Sequence, residues 1–251
     1  MRFAAFALFT CLVLAACDTA ADDGLLRRVN FEAGSAFRYE RTFAELDSDG
    51  TPTFVSRDTF EVRIAGENAT VGGLGGLVEW VVRRDTTEAS VWYRQSSRAL
   101  EEIAYEPSLA LANAPVLRSG GLAASPSAAG LGWMAPPEAT GDIVLREPPR
   151  VVVRYPAEVG DSWTHWEREE DGWSSTREVT GYHDVATPAG TFRCVVLRSR
   201  NFANGEDMGL EMTDYVSERG LIRRVISYEF EPEPGQTHRA REQHELIALE
   251  D

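Results

Sequence analysis

Cysteine is scarce, at three in 251 residues. Cys11 lies inside an apolar N-terminal run and Cys17 ends it. Only Cys194 remains, so the body of the chain can form no internal disulfide, even in an oxidising compartment. There is no Cys-x-x-Cys, and His165, His183, His238 and His244 never stand as His-x-x-x-His. The usual spacings of a zinc site are therefore missing, and no metal or cofactor is expected. No Gly-x-Ser-x-Gly elbow marks a serine hydrolase. The glycine run Gly72-Gly73-Leu74-Gly75-Gly76 lacks the Gly-Lys-Ser/Thr of a phosphate loop, so it reads as a hairpin loop. Positive charge is also short: 25 basic against 40 acidic residues give a formal net charge of -15. Such a chain repels phosphate backbones and is not expected to bind nucleic acid. It also lacks the basic clusters that hold proteins to anionic lipid by charge alone. No stretch shows sustained helical periodicity, which removes most α-containing folds.

What is present is alternation. Tyr155–Arg200 reads as three strands and two turns. Val159-Gly160-Asp161-Ser162-Trp163 leads into a strand holding Trp163 and Trp166. Asp171-Gly172 is a strong hairpin signal. Thr187-Pro188-Ala189-Gly190-Thr191 makes the second turn, with proline fixing a negative φ and glycine supplying a positive one. Upstream, Phe37, Tyr39 and Phe43 alternate with polar residues, and Phe60, Val62 and Ile64 do the same. Downstream, Ile222, Ile226, Tyr228 and Phe230 mark one face of a strand. The expectation is an all-β domain: an antiparallel curved sheet, half-barrel or sandwich of about ten to twelve strands. Glu32-Ala33-Gly34-Ser35-Ala36-Phe37 is similar to Glu158-Val159-Gly160-Asp161-Ser162-Trp163. Each is followed by an Asp-Gly hairpin and an Arg-rich strand. This suggests two β-meander halves, over 31–98 and 148–251.

The entry Val-Gly-Asp-x-Trp, the TPAGTFxC turn at 187–194 and the later Gly220-Leu221-Ile222-Arg223-Arg224 strand resemble an uncharacterised family of exported bacterial proteins. The resemblance runs from about Pro156 to Tyr228. Its motifs are structural, and it implies no catalytic residues. Ser217-Glu218-Arg219-Gly220 keeps one glycine where members often have Gly-x-Gly.

The leader gives an address. Arg2 precedes an apolar run, Phe3 to Ala16, too short to span a bilayer. It ends Leu14-Ala15-Ala16-Cys17, which resembles a bacterial lipoprotein signal. The resemblance implies removal of residues 1–16, acyl chains on Cys17 and stable membrane anchoring. An ordinary secretory signal with a chance cysteine is the alternative. Residues 17–30 read as the lipidated cysteine and a polar tether, and 31–251 as one β domain. The implied location is the bacterial cell envelope, facing the periplasm or the exterior.

Candidate sites are few. Cys194 shares a strand face with Phe192 and Val196 and reads as a small buried hydrophobe, although His183 lies across the turn. Glu45, Asp47, Asp49 and Gly50 fit part of a calcium loop, but Ser56 stands where the bidentate glutamate belongs, so a hairpin turn is expected. Glu167, Glu169, Glu170 and Asp171 surround a hairpin tip. Arg57, Arg63, Arg193, Arg198 and Arg223 alternate with apolar residues as the outer face of a sheet. Residues 99–142 are rich in Ala, Gly, Pro and Ser, with a short helical turn expected within Leu100–Leu111 and interrupted by Pro107. Carrying Leu117, Leu122, Leu131, Trp133 and Met134, this insert is either a surface connection or a lid over an apolar cavity. Trp133, Trp163, Trp166 and Trp173 either fill a core or line an apolar ligand. The expected function is binding without catalysis, of a hydrophobic small molecule or lipid. The alternative is a structural lipoprotein with a filled core that meets an envelope protein, and an envelope hydrolase is a more distant third.

Overall fold

The computed structural model describes residues 24–106, 143–168, 172–233 and 236–250. They form twelve strands: β1 (Ala36–Leu46), β2 (Pro52–Val71), β3 (Leu74–Arg84), β4 (Thr87–Gln95), β5 (Ala99–Tyr105), β6 (Val144–Arg154), β7 (Ser162–Arg168), β8 (Trp173–Thr187), β9 (Gly190–Ala203), β10 (Glu206–Ser217), β11 (Gly220–Glu233) and β12 (Gln236–Glu250). All belong to one antiparallel sheet, ordered β6-β5-β4-β3-β2-β1-β12-β11-β10-β9-β8-β7. Two six-stranded meanders thus join through β1 and β12, paired from Ala36↔Glu250 to Leu46↔Arg239. The sheet curls until its outer strands, β6 and β7, face each other, which nearly closes a barrel. The all-β antiparallel expectation holds.

Strand direction alternates, so the turns sort to two ends. Residues 24–35 and the turns at 72–73, 96–98, 155–161, 188–189 and 218–219 lie at one end, here the near end. The turns at 47–51, 85–86 and 204–205 lie at the far end, as do the C-terminus of β5 and the start of β6.

The two strand entries that look alike in sequence also bond alike. Gly34 and Gly160 both have positive φ, at 98° and 94°. Gly34 N–H donates to Ile64 O at 2.8 Å and Gly160 N–H to Val179 O at 2.9 Å. The return bonds match as well: Ile64 N–H to Ser35 O at 3.0 Å and Val179 N–H to Asp161 O at 2.9 Å. Each entry delivers a buried aromatic three residues on, Phe37 or Trp163. The meander boundary falls in the 155–161 connection, so β1–β6 and β7–β12 are the two halves, not 31–98 and 148–251.

Two further boundaries differ from the sequence reading. Residues 99–105, assigned to the insert with a helical turn, are strand β5. Leu100 and Tyr105 pack in one cluster, while Ile103 and Ala104 pack in another with Val71, Leu77 and Trp92. Both faces of β5 are therefore covered, and a strand covered on both faces shows no alternation to read. The polar tether also ends sooner than residue 30. Leu26 and Val29 are buried and close the near end of the barrel. Ala157 N–H donates to Leu26 O at 3.0 Å, and Asn30 N–H to Glu218 O at 2.6 Å. Exposed Arg27 and Arg28 between them make this plug look polar in sequence.

The largest cluster, around Tyr93, Tyr105, Trp163 and Leu197, runs from the near-end plug along the seam side of the interior to the end of β5. Phe37, Tyr39, Val62, Ile64 and Leu246 extend it beside β1 and β2. Leu197 is fully buried and Leu74 is 44% exposed. Leu197→Ala should therefore cost about 2–5 kcal/mol in urea denaturation, and Leu74→Ala less than about 0.5 kcal/mol.

The seam and the charged interior as the candidate functional site

β6 and β7 face each other without a backbone ladder. The pseudo-equivalent pair, β1 and β12, has a full one. At the seam, side chains take over. Trp163 Nε1–H donates to Val151 O at 3.0 Å. His165 Nδ1 lies 2.6 Å from the same oxygen. A carbonyl only accepts, so Nδ1 carries the proton. Arg177 Nη1 donates to Val152 O at 2.7 Å. All three donors come from β7 and β8, and both acceptor carbonyls lie on β6. Pro148 and Pro149 interrupt β6 where its register with β5 shifts, a placement that only an edge strand tolerates.

Behind the seam lies a charged interior. Arg177 is 1% exposed and also donates Nε–H to Ser199 Oγ at 2.9 Å and Nη2–H to Asp214 Oδ2 at 3.0 Å. Arg224 reaches Asp214 from the other side, Nε–H to Oδ1 at 2.6 Å and Nη2–H to Oδ2 at 2.8 Å. Glu102 accepts from Arg146 at 2.8 Å and from Arg150. Arg41 grips Glu242 at 2.9 and 3.2 Å and touches Asp58 at 3.1 Å, which also binds Arg84 at 2.7 Å. His244 Nε2 lies 2.6 Å from Glu242 Oε1. Each of these four carboxylates is thus held by two cationic or imidazole groups. The chain contains no lysine, so all 25 basic side chains are arginine. The planar fork of arginine suits such shared, two-point pairing better than an ammonium would.

Electrostatics follow from this geometry. Burial pushes the Arg177 guanidinium down to about 10, against the pull of Asp214. Burial alone would raise the Asp214 and Glu242 carboxyls. Arg224 and Arg177 hold Asp214 below its ordinary value, and His244 and Arg41 do so for Glu242. Burial, then Arg177 and Arg150, push His165 well below 6.5, so it is neutral. A carboxylate pinned by two cations is a poor base, and a neutral histidine donating to a carbonyl is already engaged. The cluster is built to hold position.

The residues singled out from sequence are scattered. Trp163 is 4% exposed, sits in the largest cluster and spends its N–H on the seam. Trp166 is half-buried at a register shift in β7, and Trp173 is half-buried opposite Ala203. Cys17 and Trp133 lie outside the described residues. His183 pairs in register with Cys194, but His183 is exposed while the thiol is buried, with its pKa raised to about 12. The residues at 47–51 form a hairpin turn, with Thr51 N–H on Asp47 Oδ1 at 2.8 Å. Among the described residues, no three His, Cys, Asp or Glu side chains converge as metal ligands. Sequence reading missed the buried arginines, although a signal for them exists. Arg41 is in phase with Phe37, Tyr39 and Phe43, and Arg224 with Ile222 and Ile226. A charge that keeps the apolar period points inward.

A half-open pocket of about 310 Å³ lies at the near end, lined by Leu25, Tyr182, Phe192, Arg193, Ser217 and Arg219 among others.

No protein-family model matches this chain, and no curated protein does. Two solved structures are similar in outline. One is a candidate exported protein with a YmcC-like fold from Bacteroides fragilis: 12% identity, 90% of this chain and 100% of that one, TM-score 0.43. The other is a candidate lipoprotein from Parabacteroides distasonis: 13% identity, 90% of this chain and 99% of that one, TM-score 0.35.

Two measurements probe the cluster. Asp214→Leu leaves Arg177 and Arg224 buried without their shared carboxylate and should cost about 3–5 kcal/mol. The unfolded chain takes up the His165 proton near pH 6.5 and the folded chain does not, so stability should fall as pH drops below about 6.5. Asp214 and Glu242 add a second loss only below about pH 4. In thermal melts between pH 7 and 5, His165→Gln should flatten the first slope, and an unchanged slope would refute this origin.

Proposed function

We infer that this chain is a bacterial envelope lipoprotein, anchored through Cys17, whose barrel is a filled body for scaffolding or protein interaction. The leader ending Leu14-Ala15-Ala16-Cys17 supports the anchor. The observation that carries the second part is the state of the interior. Trp163, the central tryptophan of the sequence, is packed in a cluster, and the polar groups beside it hold one another. A side chain fixed on all sides supports a rigid wall and not a ligand-shaped void. The apolar-carrier reading needs Trp163 to face a ligand, and its indole instead faces protein. The arrangement also favours binding over catalysis, because His165, Asp214 and Glu242 are committed to structural partners.

The test uses the full-length chain made in a bacterial host. Wild type should fractionate with membranes and carry a diacylglyceryl mass on Cys17, whereas Cys17→Ser should lose both. Lipid labelling of Cys17→Ser at wild-type level would refute the anchor. Native mass spectrometry of the detergent-extracted protein should show no added mass that depends on Trp163. A further hydrophobic ligand, lost in Trp163→Ala, would refute the filled body and restore the carrier.

A further inference from the structure

We propose that the near end of the barrel seats on the phosphate layer of the membrane, and that the pocket beside Gly24 takes the head of a bilayer phospholipid. This rests on the Cys17 anchor. Seven peptide steps separate Cys17 from Gly24. At ~3.5 Å per residue they span at most ~25 Å. β8, 15 residues long, runs about 50 Å at ~3.3 Å per residue. Tilted by about 40° in a barrel, it still rises ~38 Å. The tether is thus too short to carry the far end round to the bilayer. Gly24 itself lines the pocket, so the pocket opens where the anchor leaves the barrel.

The chemistry of that end agrees. Exposed apolar residues alone do not choose an end, since Val159 is 63% exposed at the near end and Phe54 is 52% exposed at the far end. Charge does choose. The far-end turns expose Asp47, Asp49, Asp85, Glu88, Glu206 and Asp207, with Arg83 and Arg239 as the nearby exposed cations. The near end exposes Arg27, Arg28, Arg98, Arg154, Arg193 and Arg219 beside Glu32, Glu67, Glu158, Asp184, Glu218 and Glu250. Opposite charges thus offset one another at the near end, whereas acids crowd the far-end turns, so the near end is the less repelled by a phosphate layer. In the pocket, Leu25, Leu26 and Phe192 form an apolar wall, with Arg193, Arg219 and the single carboxylate of Glu218 beside it. Arg193 lies over the Tyr182 ring at 5.5 Å and 3.6 Å from Asp184, and keeps more than half its surface in solvent. An apolar wall with guanidinium groups matches the junction of glycerol and phosphate in a phospholipid.

Cysteine scarcity makes the test direct. Cys17 is acylated and Cys194 is fully buried, so one introduced thiol labels alone. Val159→Cys reports the near end and Ser48→Cys the far end. Each full-length, lipidated variant carries a fluorophore in phosphatidylcholine vesicles with a quencher chelated at the headgroup. Quenching at 159 should exceed quenching at 48 at least threefold. Arg193→Glu with Arg219→Glu, both exposed, should roughly halve quenching at 159 and leave the melting temperature unchanged. Equal quenching at the two ends would overturn the orientation. Unchanged quenching in the double variant would overturn the pocket. The acyl mass on Cys17 is read in the same samples, so a failed anchor is distinguished from a failed orientation.

Discussion

The guanidinium of Arg177 is the point through which the barrel is held shut. One of its nitrogens bonds a carbonyl of β6 across the seam, one bonds Ser199 on β9, and one bonds Asp214 on β10. Asp214 in turn fixes Arg224 on β11. A single side chain thus ties the open edge to three successive strands of the wall. Trp163 and His165 reinforce the same edge, but neither connects onward in this way. Burying an arginine costs several kcal/mol unless its hydrogen bonds are met, and here its three donor groups are.

The pseudo-symmetry of the chain explains why such a device exists. β7 stands where β1 stands in the other half, and β6 stands where β12 does. The two seams should therefore be alike, and they are not: one is a continuous ladder, the other a row of side-chain donors. A closed ladder at both seams would demand one register shared by all twelve strands. β6 departs from that register, because Pro148 and Pro149 remove two donors and shift its pairing with β5. The donors of Trp163, His165 and Arg177 recover carbonyls that the missing ladder would leave unbonded.

Much of the fold was legible in the chain. Phe37-Tyr39-Phe43 and the TPAGT turn gave strands because alternation and fixed φ are local properties. β5 was hidden because its two faces are both covered, and its neighbour Pro107 suggested a broken helix. The plug at Leu26 and Val29 was hidden by the arginines between them. The charged interior was half legible. Arg57, Arg63, Arg193, Arg198 and Arg223 face outward as expected, and they drew attention from Arg41 and Arg224, which carry the inward phase. Which carboxylate each buried arginine meets depends on strand neighbours far apart in sequence, such as Arg41 and Glu242. No local pattern encodes that.

The topology also bears on how such a chain folds. β1 is made early and β12 last, yet β12 pairs with β1 along the whole of β1. The near-end plug at Leu26 rests on Ala157, and Asn30 rests on Glu218. Arg41 has Asp58 nearby in sequence, but Glu242 only at the end of the chain. Contacts this distant in sequence form slowly, because loop closure must precede the stabilisation it brings. The first half alone would expose both edges of its sheet and leave Arg41 without Glu242. A complete barrel thus forms only once the whole chain is present.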